Sequence, residues 1–488
     1  MKLPRLEVFN KGELYEVHYS SLDLLREVGV QVDHELALKR LKDIGADVDL
    51  KERRARIPEE LVVEAVRKAP SSFNYYGRGR RIRIGGDEVH FLDGGSPLKV
   101  LDLDGNYREA KLKDLADLTR LYDALDSVDF VAGPVHPVDV PDEILNPVCF
   151  AVKVENTVKP ITHGEYHLGE GAALDVIELA SVIAGGLDDL RRRPIVMGWE
   201  NPLSPLAHIK EQVGSLMKFS ELGLPAVVAS APQSGATSPV TLAGTVVQAN
   251  AENLSSYVIA LASSEPGRMP PLIYGVAPAI IDMRRGSMVY SGPEGPLMNV
   301  AMAQLAKFYS LPSRGTAGCT ESKALDFQAG FESAFSLFIA ASSRVNLIMN
   351  ASGGALGPGI DAMSYVKAVM DSEIVGYVKR ALDGIEVNER TVALDVIKKV
   401  GPLGHFLAEK HTLEFLEREH YLPRFVDRKP TESWIKEASE LRQLAEERAR
   451  ELLREHHPEP LDERVKEEAE EKLKEIARRR GLELESVY

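Results

Sequence analysis

The sequence predicts an α/β protein built on a (β/α)8 TIM barrel, with a helical region before the barrel and a helical extension after it. Short apolar segments without clean alternation recur from Asp129 onward, as buried parallel strands do. Helix-length segments with apolar periodicity lie between them, so that one unit spans roughly 30–45 residues, the size of a βα repeat. This count of units favours a closed barrel over an open sheet.

Residues 1–110 are assigned to an N-terminal region of helices and short strands that packs on the barrel. Ile57-Pro58-Glu59-Glu60 has the proline and acidic residues that are typical of a helix start. The stretch from Tyr75 to Asp104 is rich in glycine and short strands. An Asp-Gly-Gly turn within it carries Phe91 and Asp93, which are candidates for contact with a cation.

The barrel is assigned to residues 111–400. Seven βα units are clear, and the eighth is either irregular or outside this run. Each strand segment is short, apolar and without clean alternation, which suits a sheet buried on both faces. The seven segments begin at Asp129, Lys159, Pro194, Pro225, Pro270, Leu311 and Val345.

Polar, aromatic and glycine residues follow each predicted strand. Because the carboxyl ends of barrel strands converge, we expect these residues to line a common mouth. They include His136, His163, Glu165, His167, Trp199, Glu200, Asn201, Gln233, Ser234, Tyr274, Cys319, Thr320, Glu321, Asn350 and Ser352.

The stretch from Leu311 to Phe338 carries the densest polar cluster. A strand, a glycine-bearing loop and a helix follow one another, and Asp326, Gln328 and Glu332 lie at the junction with the helix. This order places carboxylates and an amide at the carboxyl end of a strand, where barrel enzymes do their chemistry. The alternative is an ordinary connection with a capped helix.

Residues 401–488 are assigned to a C-terminal loop and a highly charged helical extension. The loop Gly401-Pro402-Leu403-Gly404 allows close backbone approach to a ligand or partner. The alternating charges that follow are typical of a solvated helix face.

Composition narrows the classes of partner. A formal net charge of −15 argues against nucleic acid and anionic membranes as main partners. With no apolar signal segment and no run of about 18 apolar residues, we expect a cytoplasmic protein. The two cysteines, Cys149 and Cys319, make neither a disulfide scaffold nor a thiolate metal site on their own. Neither glycine-rich nucleotide-binding signature is present.

Several collinear segments resemble the trimethylamine methyltransferase superfamily, and the resemblance covers nearly the whole chain. They include LLREVGVQVDHELALKRLKDIGADVD near the start, SKALDFQAGFESAF in the barrel, and EIVGYVKRALDGIEVNERTVALDVIKKVGPLGHFLAEKHT near its end. The resemblance implies a TIM barrel that transfers a methyl group from a methylated or quaternary amine to a Co(I) corrinoid. A separate small corrinoid protein carries that cofactor, so no tightly bound cofactor is expected.

Two positions depart from the patterns of this superfamily. Gln328 stands where the trimethylamine enzymes carry pyrrolysine, which favours the branch that uses quaternary amines. Met349 and Asn350 stand where many glycine betaine enzymes carry a histidine. The methyl donor therefore stays open, and methyl donors other than amines or a non-catalytic amine-binding role remain alternatives.

Demethylation of a quaternary ammonium needs no proton donor, so the protein must hold the cation and exclude water. Aromatic faces and carboxylates are suited to this, since one cation–π contact contributes about 0.5–2 kcal/mol. Zinc is disfavoured because Cys319, His163 and His167 lack a ligand spacing. A homo-oligomer is expected. The predicted catalytic residues are Asp326, Gln328 and Glu332; the substrate-binding residues are Phe91, Asp93, Trp199, Tyr274, Phe331 and Asn350; and the corrinoid contacts are Gly404 and His405.

Overall fold

The computed structural model describes residues 3–162, 169–424, 426–437 and 440–484. In the N-terminal region, Asn10 caps the first helix through a capping box with Glu13, and the helix packs its apolar face on the barrel. The elements of this region are α1 (Lys11–Glu27), β1 (Val30–Val32), α2 (Glu35–Asp43), β2 (Asp47–Asp49), β3 (Arg54–Arg56), α3 (Glu59–Lys68), β4 (Ser72–Tyr76) and β5 (Arg81–Gly85).

The next part of the chain alternates strands with helices. Its elements are β6 (His90–Phe91), β7 (Lys99–Leu101), β8 (Tyr107–Glu109), α4 (Leu112–Ala124), α5 (Leu145–Asn156), α6 (Glu170–Ala184), α7 (Leu187–Arg192), β9 (Gly198–Glu200), β10 (Ala207–His208), α8 (Lys210–Glu221), β11 (Ala226–Ser230), β12 (Gln233–Ser234), α9 (Leu242–Ser263), β13 (Leu272–Val276), β14 (Ala279–Asp282), β15 (Ser287–Val289), α10 (Glu294–Phe308), β16 (Ser313–Thr316), α11 (Phe327–Ser342), β17 (Leu347–Met349), β18 (Ala355–Leu356), β19 (Ala362–Ser364) and α12 (Tyr365–Asp383).

The strands form a parallel barrel. Six pair in the order β6-β17-β16-β13-β11-β9. Two parallel bridges, Leu92 with Phe130 and Val131 with Ile161, extend this sheet beyond β6. Among the described residues this makes eight parallel strand positions, each followed by a helix of the outer ring (α4, α5, α6, α8, α9, α10, α11 and α12). The predicted TIM barrel is confirmed.

The eighth strand, which the sequence leaves open, is β6. It pairs with β17 through His90 and Phe91, so the barrel starts ahead of the predicted boundary at residue 111. This strand has only two residues and is soon followed by an Asp-Gly-Gly turn, so its apolar pattern is too short to predict a buried strand. The sequence analysis therefore assigned this strand to the N-terminal region.

The β4–β5 hairpin closes the end of the barrel at which the strands begin. Tyr75 donates its hydroxyl hydrogen to the carbonyl of Ile161 at 2.6 Å and stacks on Phe130 with ring centroids 5.4 Å apart. The N–H of Tyr76 bonds the carbonyl of Pro194, which precedes β9. Tyr75 shares one buried cluster with the inward-facing residues of the barrel, so the hairpin seals that end with apolar side chains.

In the described residues after the barrel there are six helices: α13 (Glu389–Val392), α14 (Leu394–Val400), α15 (Lys410–Glu419), α16 (Thr431–Lys436), α17 (Leu441–Glu455) and α18 (Glu463–Arg479). The last two pack on the barrel, α17 against α4 and α12 and α18 against α5 and α6. In the described residues, no helix is both long and apolar enough to cross a bilayer.

Candidate functional site

An arginine lies inside the barrel. Strand β16 alternates its side chains between the two faces, and Arg314 and Thr316 point inward while Gly315 faces Asn299 of α10. Arg314 is 6% exposed, and its Nη1 donates to the carbonyl of Val276 at 2.7 Å and to the Thr316 hydroxyl at 2.9 Å. A permanently charged side chain is thus fixed in the barrel lumen.

Trp199 faces the same arginine across the lumen. The guanidinium carbon of Arg314 lies 5.5 Å from the centroid of the indole ring, which is cation–π distance. The indole N–H donates to Asn201 at 2.9 Å, and this bond fixes the ring orientation. Gly275 makes room for this pair, since a Cβ there would come within 3.0 Å of Arg314.

Asp93 and Asn350 meet at the rim of the barrel. Asp93 is fully buried, and its Oδ1 accepts the backbone N–H of Ala132 at 2.5 Å. The backbone N–H of Asn350 donates to the Asp93 carbonyl at 3.3 Å. Asn350 has a φ of +65°, a left-handed conformation that asparagine tolerates better than most residues. Gly94 and Gly95 lie directly over its amide group.

The amide oxygen of Asn350 is a buried acceptor. Its Nδ2 donates to the Cys319 sulfur at 3.4 Å, whereas Oδ1 accepts no hydrogen bond from any described residue. Leaving such an acceptor unsatisfied costs about 1–3 kcal/mol. A bound molecule that presents a hydrogen-bond donor at the rim would recover this cost.

Cys319 lies between the lumen and the rim. Gly318 before it has a φ of +82°, and a Cβ at that position would come within 2.4 Å of the Asn350 carbonyl oxygen, so only glycine fits. Burial, with a further contribution from Glu321, raises the pKa of the Cys319 thiol to about 12, although Arg314 opposes the shift. The thiol is therefore neutral at physiological pH and unsuited to act as a nucleophile.

A carboxylate cluster lies where the loop after β16 meets α11. One Glu332 oxygen accepts the Thr320 hydroxyl at 2.5 Å and the Glu321 backbone N–H at 3.0 Å. Its other oxygen accepts the side-chain amide of Gln328 at 3.0 Å. The structure thus brings together two of the predicted catalytic residues, Gln328 and Glu332.

Glu321 is the second carboxylate of this cluster. It accepts the backbone N–H groups of Tyr290 at 2.7 Å and of Ser291 at 3.3 Å, which belong to the connection before α10. Burial raises the pKa of Glu321, and the negative charge of Glu332 adds to this effect. Two glutamates close enough to repel each other favour a cation beside them.

Asp326 is the N-cap of α11. Its Oδ1 accepts the backbone N–H of Ala329 at 3.0 Å, and this bond is the main reason that the pKa of Asp326 lies below the ordinary value. The side chain is exposed to solvent. The structure therefore gives Asp326 a helix-capping role, the alternative left open for this stretch.

Phe91 and Tyr274 face away from the lumen. Phe91 belongs to a buried cluster with residues of α11 and α12, and the Nζ of Lys379 lies 5.0 Å from its ring. The hydroxyl of Tyr274 donates to Asn250 of α9 at 2.7 Å. Because alternate residues of a strand point to opposite faces, both rings lie between sheet and helices, where a ligand in the lumen does not reach.

The remaining predicted contacts lie apart from this cluster. Phe331 is half-exposed on the outer face of α11, and Gly404 and His405 are exposed in the loop after α14. Their roles stay predictions. His163, Glu165 and His167, which were expected at the mouth, lie outside the described residues.

Glu200 belongs to a sealed polar network. Its Oε1 is 2.7 Å from Nδ1 of His208, whose Nε2 is 2.7 Å from the Ser255 hydroxyl. This order matches a Ser-His-Glu catalytic triad. Both side chains of the Glu200–His208 pair are 0% exposed, so no substrate reaches the serine. We therefore assign the network to packing of β9 against α9.

No group of three or more potential metal ligands occurs in the described part of the chain. The described site combines the Arg314 guanidinium, the Trp199 indole face and the carboxylate cluster. Sequence reasoning missed Arg314 as a site residue and left Glu321 unassigned. The sequence could have identified Arg314, because it lies within a predicted barrel strand, and side chains of such strands are buried.

Comparisons with known proteins support a relationship along the whole chain. The family model described as trimethylamine methyltransferase (MTTB) matches residues 1–483. A glycine betaine methyltransferase of Desulfitobacterium hafniense is 35% identical over 451 residues, which cover 91% of this chain and 92% of that protein. The trimethylamine methyltransferase of Methanosarcina thermophila is 32% identical over 446 residues, covering 89% and 90%.

A solved structure shares the fold. The monomethylamine methyltransferase of Methanosarcina barkeri aligns over 92% of this chain and 88% of its own, with a TM-score of 0.56 and 12% sequence identity. At that identity the likeness supports the fold alone.

Proposed function

Because this chain belongs to the trimethylamine methyltransferase (MTTB) family, and is therefore a methyltransferase, we propose that it demethylates a quaternary amine that carries a carboxylate. The methyl acceptor in this proposal is a Co(I) corrinoid held by a separate protein. The observation that carries the choice of substrate is Arg314, whose guanidinium lies inside the barrel against Trp199.

The distribution of charge fits a zwitterion. A guanidinium binds a carboxylate through two parallel hydrogen bonds, and such bonds to charged groups contribute about 1.5–3 kcal/mol. Glu321 and Glu332 follow the carboxyl end of β16 along the chain, where they would attract a positive charge. A small betaine whose carboxylate is bound by Arg314 would direct its ammonium group toward this end of the barrel.

A cation without a carboxylate would form no such hydrogen bonds with Arg314. Many glycine betaine enzymes carry a histidine that this chain lacks. In this proposal Arg314 takes its place as the partner of the substrate carboxylate. A relative named glycine betaine methyltransferase supports the same class of substrate.

The residues of this chain would bind and orient the amine rather than transfer protons. Anchoring its carboxylate on Arg314 points an N-methyl group toward the rim, and the neutral amine leaves without a proton donor. The corrinoid supplies the nucleophile that accepts the methyl group. The rim beside Asn350 consists of Gly94 and Gly95, which carry no side chain to keep a docked protein away.

The test is a methyl-transfer assay with cob(I)alamin, followed by visible absorbance. The panel contains glycine betaine, proline betaine, carnitine, γ-butyrobetaine, choline, tetramethylammonium and trimethylamine. We expect turnover of at least one carboxylate-bearing quaternary amine and far slower turnover of choline and tetramethylammonium. Equal turnover of the amines with and without a carboxylate would overturn the substrate assignment. Silence across the panel, also with a corrinoid protein as acceptor, would overturn the reaction.

A further inference from the structure

The chain between α12 and α16 leaves the barrel as a separate arm. The arm, residues 385–420, contains α13, α14 and α15, with 4, 7 and 10 residues. The C-terminal end of the arm is attached to α12. Arg380 of α12 donates to the carbonyl of Glu419 at 2.8 Å, and Tyr421 packs on Tyr377. Between these anchors, Phe415 is the one residue of the three helices that is buried.

Three ion pairs form within the arm. Lys399 bonds Glu409 at 2.7 Å, and Arg390 and Arg418 form ion pairs with Glu414 and Glu386, respectively. These pairs connect the short helices to one another. Surface ion pairs contribute only about 0–1 kcal/mol each, so they do not explain why three such short helices are ordered.

Many apolar side chains of the arm are exposed to solvent. Leu403 is fully exposed, Leu407 is 82% exposed and Ile385 is 79% exposed; Val387, Ile397 and Leu413 are also at least half-exposed. Taking roughly 150–200 Å² for a fully exposed large apolar side chain, the arm presents on the order of 1,000 Å² of such surface. A monomer rarely exposes more than a few hundred Å² in one patch.

Helices of this length need tertiary contacts. An isolated helix shorter than about 12–15 residues is marginal in water, so most of its stability comes from burying an apolar face. In this chain that face is bare. A partner that binds only transiently would leave this apolar face exposed most of the time. We therefore expect a partner that stays bound.

The same chain carries a second bare apolar face, the aromatic stripe of α11. Phe327, Phe331, Phe335 and Phe338 follow one another at helical spacing on the outer side of that helix, and each is 42–85% exposed. Glu332 is the one charged residue of α11, so no charge on the stripe opposes an apolar contact. The stripe alone presents roughly 400 Å².

We propose that the arm of one copy packs on the aromatic stripe of a second copy, and that the exchange is mutual. A two-fold symmetric dimer would bury both apolar faces at once. In it, the arm of each copy packs on the stripe of the other. The stripe limits one arm-on-stripe contact to roughly 400 Å² on each side, so the two contacts of a mutual exchange bury about 800 Å² of each copy, the size of a standard stable interface. The loop with Gly404 and His405 then lies at this interface and does not contact a corrinoid.

The test measures the mass of the full-length protein by size-exclusion chromatography with light scattering, at about 1 and 10 μM. We expect a dimer or a larger assembly built on it. The arm variant Leu407→Glu/Leu413→Glu and the stripe variant Phe335→Glu/Phe338→Glu are each expected to be monomeric, with the thermal unfolding of the barrel retained. Met283→Glu, at a position that is 68% exposed on the β14–β15 hairpin, is the matched control and stays assembled.

Mixing the two monomeric variants gives the decisive result. The arm variant keeps an intact stripe and the stripe variant keeps an intact arm, so a mixed pair has one complete contact and is expected to assemble. Arm-to-arm or stripe-to-stripe packing would give no such rescue. A monomeric wild-type protein, assembly that survives both variants, or failure of the mixture to assemble would each overturn the proposal. The readout is mass, so none of these results depends on the proposed enzymatic activity.

Discussion

At the scale of single residues, the proposed choice of substrate rests on Arg314. We expect Arg314→Met to raise the KM of a carboxylate-bearing quaternary amine roughly 10- to 100-fold, as loss of a charged hydrogen-bonded pair implies. Turnover of tetramethylammonium should change less than threefold, because this amine has no carboxylate for the arginine to bind. The ratio of kcat/KM for the two amines is the measurement.

This ratio also separates specificity from misfolding, since damage to the barrel would lower both activities together. Arg284→Met, on the exposed turn between β14 and β15, is the control substitution. An equal loss for both amines in Arg314→Met would show that the arginine supports the barrel and does not bind substrate.

Glu332 is the residue at which the predicted cation-holding role can be tested directly. Removing its charge with Glu332→Gln weakens attraction of the ammonium group, and we expect KM to rise about tenfold with little change in kcat, a cost of about 1.4 kcal/mol. Glu16→Gln, on the exposed face of α1, is the control. A change below threefold would exclude Glu332 from the binding of the cation.

At the scale of elements, substitutions at the start of α11 can test whether Asp326 is a helix cap or a catalytic residue. Asparagine caps helices as well as aspartate does, whereas alanine does not. We therefore expect Asp326→Asn to keep both stability and activity, and Asp326→Ala to lower the free energy of unfolding by about 1 kcal/mol in urea titrations. A tenfold or larger fall in kcat for Asp326→Asn would restore its catalytic role.

The strands show why the sequence predicts the barrel but only part of the site. Continuous apolar runs identify buried parallel strands, yet they carry no alternation that tells the lumen face from the helix face. All three aromatic residues were expected to bind substrate, yet Trp199 lies on the lumen face whereas Phe91 and Tyr274 lie on the helix face, because a shift of one residue along a strand reverses the face. The β4–β5 hairpin and the pairing of β6 with β17 depend on contacts between distant parts of the chain, which local patterns do not contain.

At the scale of the whole molecule, Lys159 makes stability depend on pH. Its Nζ donates to the carbonyls of Tyr122 and Leu125 at 2.7 and 2.8 Å, and burial lowers its pKa to about 8. Between that value and the ordinary lysine pKa the unfolded chain binds more protons than the folded one. Stability therefore rises with pH across this window, by on the order of 2 kcal/mol.

The check is urea unfolding of the wild type and Lys159→Met at pH 7.5 and pH 9.5. The wild type should gain stability between the two values relative to the variant, since the variant lacks the titrating group. An identical pH dependence in both proteins would show that Lys159 does not titrate in this window.

The hairpin that seals one end of the barrel imposes an order on the proposed reaction. With that end filled by Tyr75 and its neighbours, the amine enters and leaves through the rim, and the methyl acceptor approaches through the same opening. A demethylated amine is then trapped beneath the docked acceptor. The acceptor must depart first and the amine last, so an excess of the tertiary amine product competes with fresh substrate for the acceptor-free enzyme.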